Sequence, residues 1–174
     1  DGKPVCNANV QVELKKHDFL FGCGAFDFVA AVSIPDEEKR GHFIERTEKW
    51  AKLFNYGTLP FYWGGFEPEE GKPNTENLIK AAKLLKNFGA TVKGHPLCWH
   101  TGCAQWLLKY DNKTILEKQL ARIHRDVGEF KGIIDMWDVI NEVVIMPIYD
   151  KYDNAITRLC KEHGRIGLCK QVFE

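Results

Sequence analysis

What this sequence lacks narrows the field first. No apolar run approaches the roughly 20 residues needed to cross a bilayer. Neither sign of charge is in excess, since Lys and Arg together number 24 and Asp and Glu number 24. That balance excludes the basic footprint of a nucleic-acid binder or of a protein drawn to anionic lipid. The opening "DGKPVCNANV" has no charged-then-apolar leader pattern. It reads as a cut start, so the missing leader says nothing about location. The six cysteines (Cys6, Cys23, Cys98, Cys103, Cys160, Cys169) form no C-x-x-C pair. A chain this long does not need staples to fold, so they read as small buried apolar residues.

What is present is a strand–helix rhythm. "VQVELKKHDFLFGCGAF" alternates and then runs apolar, predicting one or two strands. "PDEEKRGHFIERTEKWAKLFN" follows, with Phe43, Thr47, Trp50 and Phe54 at helical spacing and acids at its front. After the apolar "YGTLPFYW" comes a loop from Glu67 to Pro73. Asn74 or Thr75 then caps a helix whose face is Leu78, Ala82, Leu85 and Phe88, and Gly89 ends it. "TVKGHPLCWH" predicts a third strand. Thr114 and Glu117 have capping-box spacing ahead of a stripe of Leu116, Leu120, Ile123 and Val127. "IIDMWDVINE" predicts a fourth strand. Strands alternating with helices, uninterrupted by linkers, predict an α/β fold of βα units around a parallel sheet.

The fourth strand ends oddly. "DMWDVINE" is built for burial yet finishes on Asn141 and Glu142. A buried acid is costly unless it is paired or its protonation is useful. In a barrel of βα units the active site gathers at the C-terminal strand ends, where Glu142, His100 and Trp63 all fall. The plain alternative is an ordinary surface acid. Trp137 reads as core, whereas Trp63 and Trp106 either stack on a ligand or pack under loops. His95, Cys98 and His100 are poor zinc ligands as a set, because strand parity puts His95 and Cys98 on opposite faces.

"GHPLCWH" followed by "WDVINE" resembles the pattern of glycoside hydrolase family 10, G-H-x-L-x-W-H before W-D-V-x-N-E. "FLFGCGAF" and W-x-x-x-E-P-E-x-G at Trp63 to Gly71 fit in the same order. The resemblance implies a (β/α)8 TIM barrel, of which the chain holds about the first four βα units, with residues 1–17 as a lead-in strand region and 18–174 as the first half of the catalytic domain. It implies retaining hydrolysis of internal β-1,4 bonds in xylan or a related plant polysaccharide. Glu142 matches the acid/base, which must hold a proton at working pH. Asn141 matches the amide that binds the sugar 2-hydroxyl. His95, Trp99 and His100 match the lining of the reacting sugar. The family's chemistry implies no cofactor and no metal. It also implies a secreted or extracellular enzyme, a monomer by itself or part of a larger multi-domain chain, whose partner is the polysaccharide or oligosaccharide rather than a nucleic acid or membrane.

Two departures qualify the resemblance. Retention requires a second carboxylate about 5 to 5.5 Å from the first, and no residue here matches the family's nucleophile. The 174 residues are therefore expected to be inactive alone. In addition, Leu59, Tyr62 and Gly102 stand where the family carries an Asn, a Lys and a Gln that grip the glycone sugars. Tyr62 offsets part of that loss by stacking on a sugar or donating its hydroxyl. Competing expectations are a β-glycosidase of other specificity on the same barrel and an inactive barrel that only binds carbohydrate.

Overall fold

The structure is a computed structural model that describes residues 2–15 and 17–174. Its centre is a parallel sheet of β1 (Gly22–Gly24), β2 (Tyr56–Pro60), β3 (Thr91–His95) and β4 (Met136–Trp137), adjacent in space in the order of the chain. Helices α1 (Phe26–Ser33) and α2 (Glu37–Ala51) link β1 to β2, and α3 (Trp63–Phe66) and α4 (Thr75–Asn87) link β2 to β3. A 3-10 turn (Gln105–Lys109) and α5 (Asn112–Glu129) link β3 to β4, and α6 (Ala155–Phe173) follows. Parallel neighbours need such crossovers, and their single direction of advance is that of a barrel wall. Among the described residues, no helix is long and apolar enough to cross a membrane.

Register explains which face carries chemistry. Leu59 pairs with Gly94, and Pro60 with His95. Gly57, Leu59, Val92 and Gly94 are buried on one face, while Lys93 and His95 are half-buried on the other. The first face packs against α1 and α4 through Phe28, Leu78, Ala82 and Leu85. Gly94 is required there, because a Cβ would stand 2.2 Å from the indole of Trp137. A second core, around Cys98, Leu107, Ile115, Met146, Ile156 and Leu159, joins the 3-10 turn to α5 and α6.

Several expectations need correction. The alternating run before Gly22 forms no strand: residues 10–15 and 17–21 are exposed, and Val10, Val12 and Leu14 have no sheet to face. Alternation signals a strand only where a partner strand covers one side. The cap of α5 is Asp111, whose carboxylate accepts the Thr114 N–H at 2.8 Å, so Thr114 lies inside the helix. The stripe of α5 is shifted by one residue. Its buried positions are Ile115, Gln119, Arg122 and Asp126, while Leu116, Leu120 and Ile123 are half-exposed and Val127 is exposed. Phe88 lies past the end of α4 and is 43% exposed, whereas Leu78, Ala82 and Leu85 are buried as expected. The cysteines divide: Cys98, Cys103 and Cys160 are buried, but Cys6 and Cys23 are exposed.

Candidate active site

Beyond the ladder, the ends of β3 and β4 stay tied together. Asp138 N–H donates to Gly94 O at 3.0 Å, Leu97 N–H to Asp138 O at 2.9 Å and Asn141 N–H to Cys98 O at 2.9 Å. These bonds lay the segment carrying Trp99 and His100 beside Asn141 and Glu142. The Trp99 indole N–H donates to the Glu142 carboxylate at 2.9 Å. His100 Nε2 stands 3.9 Å from the same oxygen, beyond hydrogen-bonding distance. Glu142 has a left-handed backbone, φ 51°, and its side chain is 48% exposed.

His100 is fully buried against the ring of Tyr149, with centroids 4.3 Å apart. Burial pushes its imidazole below the usual range, with the Glu142 charge opposing. It is therefore neutral at neutral pH, and among the described residues neither ring nitrogen has a hydrogen-bond partner. His95 is held differently. Its Nδ1–H donates to Asp138 at 2.7 Å, and Lys93 Nζ reaches the same oxygen at 2.8 Å. Partial burial works against the Asp138 charge, but the bonds from Lys93 and His95 outweigh it and hold its carboxyl below the usual range. Tyr62 closes the wall, edge-on to His95 at 5.7 Å and 5.5 Å from Trp99.

The structure thus brings together Glu142, Asn141, His95, Trp99, His100 and Tyr62. It does not bring Trp63 to them. Trp63 is 4% exposed, donates its N–H to Glu67 at 3.0 Å and packs edge-on to Trp106 at 5.6 Å. Trp106 in turn donates to the Glu67 carbonyl at 2.9 Å, so both indoles pack under the 67–71 loop. A cavity of about 420 Å³ beside them, lined by Glu67, Glu70, Lys118 and Arg125, does not include Glu142. Trp137 packs between Phe61 and Phe130 as core. Among the described residues no three His, Cys, Asp or Glu side chains converge as metal ligands. Sequence reasoning passed over Asp138 and Lys93. Asp138 is the one acid inside the apolar run "MWDVI", which is the signal the sequence carries for it.

Comparison with known proteins bears on this arrangement. The description "Glycosyl hydrolase family 10" matches residues 45–155. Endo-1,4-beta-xylanase A of Thermotoga maritima is 34% identical over 86 residues, 46% of this chain and 8% of that protein. Endo-1,4-beta-xylanase 5 of Arabidopsis thaliana is 29% identical over 150 residues, 84% of this chain and 25% of its own length. Among solved structures, xylanase 10B of Thermotoga petrophila RKU-1 in complex with xylobiose superposes with a TM-score of 0.57 at 26% identity, covering 70% of this chain and 36% of the other. A psychrophilic family 10 endo-beta-1,4-xylanase superposes at 0.63 and 20% identity over 89% of this chain and 47% of that one, a likeness of fold. The chain therefore spans less than half the length of these relatives, and its four βα units are part of a (β/α)8 barrel. With the family's description matching from within α2 to the start of α6, across the whole cluster around Glu142, this chain belongs to glycosyl hydrolase family 10.

Proposed function

We propose that the complete protein hydrolyses internal β-1,4-glycosidic bonds of xylan or a related plant polysaccharide with retention, outside the cell and as a monomer. The observation that carries this is the placing of Glu142: a half-exposed carboxyl at a strand end, held by the Trp99 N–H and flanked by His100, with Tyr62 and His95 packed against Trp99. Protonated, Glu142 delivers its proton to the glycosidic oxygen as the bond from that oxygen to the anomeric carbon breaks. A carboxylate from a part of the barrel outside these residues takes the sugar as a covalent ester. Glu142, now a carboxylate, then removes a proton from the water that displaces the ester. Asn141 binds the 2-hydroxyl, and the neutral imidazole of His100 leaves the carboxyl without a competing cation. The residues present hold no second carboxylate matched to the nucleophile's role, so residues 1–174 alone are expected to be inactive.

One observation favours an altered glycone sugar over unsubstituted xylose. Leu59 is wholly buried, so it presents nothing to a ligand. Gly102 has φ 69°, and a Cβ there would already touch Tyr62 at 3.4 Å. A polar side chain would be buried at the first position and would carry a strained left-handed backbone at the second. The test of the main reading is Glu142→Gln in the complete protein. Loss of the proton donor should cost about 10² to 10⁴-fold on natural oligosaccharides. Substrates with activated phenolate leaving groups should lose far less in the first step. Equal losses on both would remove Glu142 from the acid role.

A further inference from the structure

The buried face of α5 is polar where a helix against a sheet is normally apolar, and Arg122 is its centre. The residue is 3% exposed. Its guanidinium donates from Nη1 to Leu97 O at 2.7 Å, and from Nη2 to Phe61 O and, at 3.4 Å, to Pro96 O. Nε pairs with Asp126 at 3.1 Å, and Asp126 and Glu67 are both bonded to Arg125, which closes a neutral cluster of two cations and two acids. Gln119 adds a second donor to Leu97 O at 3.0 Å.

The place of those carbonyls is informative. The β2–β3 ladder ends at Pro60 and His95. Past that point the two strand ends are joined by Phe61 N–H to His95 O at 2.6 Å, and the backbones beyond them are bonded again at Gly64 N–H to Gly102 O, 2.7 Å. Arg122 takes over where the ladder stops, with a planar fork that only a guanidinium supplies. The Phe61 carbonyl belongs to the peptide that carries the nitrogen of Tyr62. Leu97 lies midway between His95 and Trp99, and its N–H is tied to the backbone carbonyl of Asp138, the residue just past β4.

We infer that Arg122 is a positioning residue for catalysis, which sets Tyr62, His95 and Trp99 against one another and thereby aims the Trp99 N–H at Glu142. It touches no substrate. The inference rests on the proposed acid role only for its kinetic readout, because the position of the Trp99 N–H can be read without turnover.

The experiment uses Arg122→Lys in the complete protein, with Asp126→Asn as a second variant that keeps the guanidinium but loosens its anchor. Three quantities are measured: the thermal midpoint, kcat and KM on a natural oligosaccharide per active site titrated with a covalent inactivator, and the indole N–H resonance of Trp99, assigned with Trp99→Phe. A lysine reaches one carbonyl instead of two strand-end turns. We expect kcat per titrated site to fall on the order of tenfold to a hundredfold, the range that small misplacements of reacting groups produce. The Trp99 resonance should move, and Asp126→Asn should follow in the same direction by less. If Arg122→Lys does not fold, Asp126→Asn decides by the same two readings. A lower thermal midpoint with unchanged kcat per site and an unmoved Trp99 resonance would make Arg122 purely structural and overturn the inference. Full activity of Glu142→Gln would overturn the acid role instead, leaving the Trp99 resonance to judge Arg122.

Discussion

Gly94→Ala and Gly41→Ala are the same chemical change with opposite expected signs. At Gly94 the new Cβ would lie 2.2 Å from Cζ3, 2.3 Å from Cε3 and 2.9 Å from Cη2 of Trp137. Carbon–carbon contacts are comfortable at about 3.5 to 4.0 Å, so the indole or the strand must retreat by about 1.5 Å. The half-buried indole is blocked on its core side. Phe61 stands at 4.7 Å from its ring and Phe130 at 6.1 Å, and Phe61 is itself fully buried against Phe66 and Phe130. Overpacking costs about 1 to 3 kcal/mol, and a 2.2 Å contact, with Phe61 and Phe130 behind the indole, places this case near ~3 kcal/mol. Gly41 sits inside α2 with nothing within 4 Å of a Cβ. An alanine there should stabilise by roughly 0.5 to 1 kcal/mol, because the unfolded chain loses freedom and the helix gains propensity. Calorimetry and denaturant titration of the complete protein should separate the two variants by about 3 to 4 kcal/mol, the sum of these two estimates. Gly94→Ala should also lower activity, since Gly94 adjoins His95 and Trp137 adjoins Asp138. A Gly94→Ala variant within about 0.5 kcal/mol of the parent, the span of an uneventful surface change, would refute the packing argument.

Two further outcomes follow from the caps and the buried imidazole. Asp111→Ala should cost about 0.5 to 2 kcal/mol, as a lost N-cap does, while Glu117→Ala should leave the denaturation midpoint almost unchanged; the reverse order would restore the capping box read from the sequence. His100 has a depressed folded value, so the unfolded chain binds more protons than the native one as pH drops below the ordinary 6.5. Its contribution is complete above that pH and is lost below it, through the window down to the folded value. The thermal midpoint of the parent should therefore fall on acidification below 6.5, and less so in His100→Gln; parallel curves would show that His100 takes no part.

The legible parts of the chain are those where local pattern and tertiary contact agree. Leu78, Ala82 and Leu85 mark the inner face of α4 because that helix lies on an apolar sheet face. The strand ends bearing His95 and Glu142 were legible for a different reason, through the motif and its spacing. The failures have one physical source, which is that periodicity names a stripe but not what the stripe will meet. Val10, Val12 and Leu14 alternate as a strand would, yet no described strand lies beside them. In α5 the apolar residues Leu116 and Ile123 turn toward α6, and the neighbouring row is pulled inward by the free carbonyls of Phe61 and Leu97. No scale of hydrophobicity ranks Gln119, Arg122 and Asp126 as core. Their common spacing with Ile115 was visible, but the carbonyls that satisfy them come from distant strands.

Glu142 occupies a backbone conformation that costs an ordinary residue roughly 1 to 2 kcal/mol and a glycine nothing. Natural selection for folding alone would therefore favour Gly at this position. An acid here carries a steric cost that a glycine would escape. Directed evolution of this barrel for thermal tolerance, screened without a glycosidase assay, should encounter Glu142→Gly among its gains, a more robust protein that has discarded the acid proposed as its proton donor.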